Sequence, residues 1–415
     1  MTRTLSYRKA KYWELFSDLL LVAAASSIAD NLEEEPDFKG WIKFAILYFI
    51  TANGWLLYTH HYNARFDDSS LVHCLILFVY YLGMAGSIVN ADFEAYKPFS
   101  YAVTLQRVAF IALMVMVARS IPKAKEFAGW IIGWTFVACL LFVAAALLPE
   151  EYVIVVWSLA AAWEFFIEVG MVSSLKGEKL IKINIDHTNE RLGVLVLIML
   201  GEAVITSTIT YKSYVAEAEG GTDSSEYYTV MTLSFLLMFM YILLFFNQQP
   251  SPKDHGMRRS KFSGICLMLL NKLLGLVLLT IGACMKLCVS AVIEEEELTP
   301  FVSNAFRMSV GMSLVLLLAM RICHYGGKLP RPTDPPHVRR LMFVWWGIFA
   351  LGCFVPFLTP SSSSPTIELA WPSGLAFVLC LIESWFTHVL EEHLPSDESA
   401  PLHDSSTTPT YDTIE

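Results

Sequence analysis

The sequence predicts an all-α, polytopic integral membrane protein on three observations. The 415 residues are 55% hydrophobic and only 16% charged, with a mean hydropathy of +0.50, far from the balance of an average soluble domain. Apolar runs long enough to cross ~30 Å of hydrocarbon recur up to residue 390, so no soluble domain of any size fits. Lys and Arg collect in every second loop between those runs, which is the charge asymmetry of a multi-pass topology.

The elements follow in order. A basic N-terminus, residues 1–12, carries Arg3, Arg8, Lys9 and Lys11. Six spans follow near 13–31, 40–60, 70–91, 99–119, 127–148 and 152–174, and six more near 191–211, 227–247, 262–289, 304–323, 338–358 and 368–390. The loops with Arg119, Lys123 and Lys125, with Lys176, Lys179 and Lys182, with Lys253, Arg258, Arg259 and Lys261, and with Lys328, Arg331, Arg339 and Arg340 are assigned to the cytoplasm. The intervening loops, LEEEPDFK, DFEAYK, PEE, AEAEGGTDSSE, EEEE and PSSSSP, are acidic or neutral. Twelve spans with both termini inside satisfy every loop. The run YRKAK followed by LLLVAAASS has the outline of a secretory signal, but Glu14 and Asp18 fall in what would be its apolar core and share one helix face. It reads as a first span.

The transmembrane region, 13–390, divides into possible halves at 13–174 and 191–390. Span four has Gln106 and Arg107 and ends at Arg119, span ten has Arg307 and ends at Arg321, and spans six and twelve bury Glu164 and Glu383. These coincidences fit two parallel six-helix repeats, an arrangement common in carriers. The remainder, 391–415, is acidic and rich in Ser, Thr and Pro, a composition that stays disordered. Tyr411 and Ile414 there fit a tyrosine-x-x-bulky-apolar sorting signal, which would engage a coat adaptor in a eukaryotic host; the other reading is a plain solvated tail.

Several classes are disfavoured. A net charge of -10 argues against nucleic acid as a partner. The eight cysteines lie in apolar runs without a CxxC spacing and read as small hydrophobes. His60 and His61 are adjacent, so in an α-helix they point apart. No histidine pair has the i, i+4 spacing of a helical metal site, so neither a metal nor a cofactor is expected. Trp41, Trp55, Trp130, Trp157, Trp345, Trp346 and Trp371 fall mostly toward span ends, where an interfacial belt accounts for them. No phosphate loop, nucleophile elbow or HExxH motif occurs.

The chemistry therefore rests on ionisable groups inside the spans, each costing about 2.5 to 3.5 kcal/mol at a helix centre. These are Asp18, Arg107, Glu164, Glu168, Glu202, Lys272 and Glu383. At 1.5 Å per residue, Glu202 lies about 18 Å into span seven, close in depth to Arg107, which makes Arg107 its expected partner. Around the midplane and below, four acids, Asp18, Glu164, Glu168 and Glu383, face the single Lys272. Such crowding favours a carboxyl that exchanges protons, the basis for expecting a proton or small cation to be coupled. The alternative for each residue is mutual neutralisation that only fixes helix register.

With those residues in view, the chain resembles the bacterial low temperature requirement A (LtrA) family. Tyr12-Trp-Glu14-Leu-Phe-Ser-Asp18-Leu-Leu-Leu-Val22 is similar to its ELFFDLVFV opening, and Asn63-Ala-Arg65-Phe-Asp67-Asp68 to its NRFD-type element. His187-Thr-Asn-Glu190-Arg191-Leu-Gly followed by Leu200-Gly201-Glu202 is similar to its HxxERxGLxxIxxLGE signature. Arg107 falls where the family keeps an arginine in span four. Ser17 replaces an aromatic, Asp68-Ser-Ser follows the RFD element, and the acidic tail is long. The resemblance implies that Glu14, Asp18, Arg65, Asp67, Arg107, His187, Glu190, Arg191 and Glu202 belong to the family pattern, and that the protein serves growth at low temperature. The expected function is a proton- or cation-coupled carrier of an unidentified small solute. The rival is a non-transporting lipid-modifying enzyme or membrane scaffold.

Overall fold

The computed structural model describes residues 12–66, 70–217, 224–326, 328–332 and 334–393. Among these there is no strand, and the chain runs as a succession of helices. The first set is α1 (Tyr12–Glu34), α2 (Phe38–Leu56) continued by a π-helical turn (Leu57–Asn63), α3 (Leu71–Val89), α4 (Tyr96–Ser120), α5 (Lys125–Leu147), α6 (Val153–Phe165) and α7 (Ile167–Ser174). The second is α8 (Ile185–Glu217), α9 (Ser224–Asn247), the short α10 (Gly256–Arg259), α11 (Lys261–Ile293), α12 (Pro300–Cys323), α13 (Pro336–Leu358) and α14 (Pro365–His393).

Among the described residues, 10 helices are long and apolar enough to cross a membrane, and α6 with α7, bent by 47°, make an eleventh. The 33-residue α8 covers the interval expected for span seven. The chain is thus an all-α, multi-pass membrane protein. Its helices begin where short polar side chains can take up free N–H groups. Asp37 accepts from Gly40 N at 2.7 Å, Ser260 from Ser263 N at 3.0 Å, and Thr299, ahead of Pro300, from Val302 N at 3.3 Å. Large apolar side chains such as Phe78 and Leu82 on α3 and Leu351 and Phe354 on α13 remain exposed, as lipid-facing positions must.

Helices α1–α7 pack largely among themselves, and so do α8–α14. The same neighbours recur in both sets: α1 with α3 and α8 with α11, α3 with α4 and α11 with α12, α4 with α5 and α12 with α13, α2 with α6 and α9 with α14. The sets meet where α1, α2 and α7 lie against α8 and α11. Three tryptophans depart from the expected interfacial belt. Trp55, Trp157 and Trp345 are fully buried, because each covers a polar or charged group. Trp55 and Trp345 lie under the guanidinium groups of Arg191 and Arg321 at 5.4 and 5.6 Å, and Trp157 Nε1 donates to Ser100 Oγ at 2.9 Å.

Candidate functional site

The site begins with two short motifs on different helices. Glu14 and Asp18 stand one turn apart on α1, and His187 and Arg191 one turn apart on α8, so each helix presents a two-residue polar face. The faces meet. Arg191 Nη2 donates to Asp18 Oδ1, Trp55 Nε1 donates to the same oxygen at 3.2 Å, and His187 Nε2 lies 3.7 Å from Glu14 Oε2. Asn63, at the end of the π-helical turn, places its amide 3.3 Å from His187 Nε2. Arg65 donates to the carbonyls of His60 and Ile181, which ties that turn to the loop before α8. Glu190 is exposed.

The break between α6 and α7 supplies the next layer. Where the helix bends at Phe165 and Phe166, Lys272 of α11 donates to the freed Phe165 carbonyl at 3.2 Å and to Glu168 Oε2 at 2.8 Å. Glu164, one turn earlier, faces the other way. Its two oxygens receive Arg107 Nε and Nη2, each at 2.8 Å, and Nη2 also donates to Ile50 O at 2.7 Å. Arg107 fits because residue 54 is glycine: a Cβ there would abut Arg107 Nη1 and stand 2.7 Å from Gln106 Oε1. Gly275 similarly admits Tyr48, whose hydroxyl donates to Lys272 O at 2.9 Å.

Two expectations are corrected here. The carboxylate on Arg107 is Glu164 and not Glu202, because equal depth in the bilayer says nothing about which helix lies alongside. Arg107 and Glu164 are both the twelfth residues of their helices from the acidic-loop end. Glu202 is buried at 1% exposure on α8, in the other helix set. Next, acids do not outnumber bases: Asp18 has Arg191, Glu164 has Arg107, Glu168 has Lys272, and Glu383 has Arg321 at 2.7 Å and Lys328 at 3.1 Å. Arg191 and Lys328 read from the sequence as loop residues and Arg321 as the end of span ten, yet their long stems carry the charge inward. His60 and His61 lie in the π-helical turn, every residue of which is buried, and are exposed by 1% each.

Further polar groups escaped the sequence reading. At the acidic-loop end Lys286 of α11 bridges Asp30 at 2.7 Å and Glu33 of α1. Glu368, at the start of α14, is buried and accepts from Ser303 Oγ at 2.5 Å and Ser362 N at 2.6 Å. At the basic-loop end, outside the spans, His255 Nε2 donates to Asn189 Oδ1 at 3.0 Å while its Nδ1 accepts from Met257 N, and His324 Nδ1 accepts from Gly256 N at 3.0 Å. Burial, reinforced by Arg258, pulls His255 down to about 4; burial, reinforced by His255, Lys328 and Arg321, pulls His324 down to about 3. Among the described residues no group of three or more His, Cys, Asp or Glu side chains is disposed to hold a metal ion. Asp67, Tyr411 and Ile414 lie outside the described residues.

A multi-pass helical membrane protein in which the buried acids Asp18, Glu164, Glu168 and Glu383 are met by bases, partly within and partly between two helix sets, is the class these features define. The chain belongs to the bacterial low temperature requirement A protein (LtrA) family, whose model matches residues 9–393. No curated protein and no solved structure matches it.

Proposed function

We propose that the protein is a secondary carrier in which a proton or small cation is coupled to a small solute. In this reading α1–α7 and α8–α14 are parallel repeats that move against each other, with the site between them as in other carriers built from repeats. One observation carries the reading: ion pairs join the two sets at three depths. These are Asp18–Arg191 near the basic-loop end, Glu168–Lys272 deeper, and Lys286 with Asp30 and Glu33 at the acidic-loop end. Pairs inside one set, Arg107–Glu164 and Arg321–Glu383, hold each body together. Pairs between the sets can be exchanged as the bodies rock, because each side keeps its own framework.

The basic loops place both termini in the cytoplasm in this reading. Labelling of residues 253–261 from the cytoplasmic side of oriented vesicles supports that topology, and labelling from the outside overturns it. A second reading, a scaffold that adjusts the bilayer to cold, draws support from the closure of Asp18, Glu164, Glu168 and Glu383 onto bases. Reconstitution into liposomes with an enclosed pH-sensitive dye and a panel of small solutes separates the readings. Solute-dependent pH change supports the carrier, and a protein that is folded but silent across the panel supports the scaffold.

A further inference from the structure

The bend between α6 and α7 frees two backbone carbonyls inside the protein, and each is met by a side chain from another helix. Trp134 Nε1 of α5 donates to Trp163 O at 3.1 Å, and its ring has room because residue 170 is glycine: a Cβ there would stand 2.7 Å from the Trp134 ring. Lys272 Nζ of α11 donates to Phe165 O at 3.2 Å and to Glu168 Oε2 at 2.8 Å. The Lys272 and Glu168 side chains are only 3% and 4% exposed, so this ammonium is stripped of water and held by protein oxygens. It also lies 5.5 Å from the centre of the Phe165 ring, whose face attracts a cation. Phe165 is the last residue of α6, so its carbonyl belongs to the negative end of that helix's dipole. In carriers with discontinuous spans, carbonyls freed at a half-helix C-terminus coordinate the coupling cation. Here the donors come from the chain itself.

We propose that Lys272 is the resident cation of the broken span: its tethered ammonium fills a position suited to an alkali ion, and so determines that neither Na⁺ nor K⁺ enters there. The proposal rests on the carrier reading and narrows it, because it removes an alkali ion at this break from the couplings open to the protein. The ligands suit either occupant. The Phe165 carbonyl and the Glu168 carboxylate offer oxygens to a small cation, and Glu168 Oε1, which accepts no hydrogen bond among the described residues, is a further one. An ammonium engages such oxygens through its N–H groups, a metal ion by direct contact. With the ammonium in place the one carboxylate is already matched by one charge, and a second cation would meet Lys272 at close range in low dielectric. Because α11 belongs to the other helix set, the charge is supplied by a partner helix and needs no path from water.

Thermal unfolding of the full chain in detergent, in NaCl, KCl or choline chloride at equal ionic strength, tests the proposal. The wild-type midpoint should be the same in every salt. Lys272→Ala strands the Glu168 carboxylate and should lower the midpoint in choline by roughly 5 to 10 °C. Na⁺ or K⁺, kept present throughout purification, should restore much of that loss, and Lys272→Ala combined with Glu168→Gln should show no such gain. Where Lys272→Ala is too unstable to purify in these salts, n-propylammonium, which supplies the atoms the substitution removes, is kept present and then exchanged for each of them. A wild type stabilised by Na⁺ or K⁺ over choline, or a Lys272→Ala protein that gains nothing from either ion, overturns the proposal. The expected midpoints in a protein that moves no solute in liposomes would uphold the tethered cation without the carrier. Solute flux in a wild type whose midpoint rises with Na⁺ would keep the carrier and overturn the tethered cation.

Discussion

Asp18 on α1 and Arg191 on α8 form a buried ion pair although 173 residues separate them in the chain, and the indole of Trp55 braces both. Each lies in one of the three family-like motifs, the opening and the His187–Glu202 signature, so these two motifs are complementary halves of one contact. Removing one charge strands the other in low dielectric at a cost of about 3 to 5 kcal/mol, whereas removing both leaves no orphan. Asp18→Asn and Arg191→Gln should each lower the thermal midpoint of the detergent-solubilised protein, and the double variant should recover much of the loss.

The same logic decides the partner of Arg107. Arg107→Gln with Glu164→Gln should be markedly more stable than either single variant. Arg107→Gln with Glu202→Gln should be no better than the worse single, because those two residues sit in different helix sets. Folded yield by size-exclusion chromatography is the readout.

Gly54 gives a test that leaves every charge in place. An alanine methyl there collides with Arg107 Nη1 and Gln106 Oε1. Overpacking of a tight interior costs about 1 to 3 kcal/mol, so Gly54→Ala should lower the thermal midpoint, and Gly133→Ala, which meets nothing within 4 Å, should not.

His255 and His324 set the acid limit of the basic-loop end. Their folded values, about 4 and about 3, lie below the ordinary 6.5, so the unfolded chain binds more protons and stability falls as pH drops. The loss begins near pH 6.5 and is complete for His255 near 4 and for His324 near 3, with each unit of difference worth about 1.4 kcal/mol. Thermal midpoints measured from pH 7.5 to 4 should fall less steeply in His255→Gln and His324→Gln than in the wild type. Equal slopes would show that other groups set the acid limit.

Much of this was legible in the sequence, because a lipid solvent enforces long apolar runs and makes each interior charge conspicuous. The helix order and the identities of Asp18, Arg107, Glu164, Glu168, Lys272 and Glu383 as buried groups follow from that alone. Pairing did not follow. Depth along the membrane normal is readable at 1.5 Å per residue, but lateral neighbours are set by packing, so Glu202 was matched to Arg107 across helices that belong to different sets. Arg191 reads as a loop residue of its motif and Arg321 as the end of span ten, because helix ends and long side chains blur the boundary.

The carrier account stands most directly on the solute-dependent pH change of liposomes holding the Asp18→Asn, Arg191→Gln double variant beside the wild type. The variant keeps its fold by the pairing argument but lacks the exchangeable contact between the helix sets. The account predicts flux in the wild type and its loss in the folded double variant. Equal flux in the two, or none in the wild type across the panel, would contradict it.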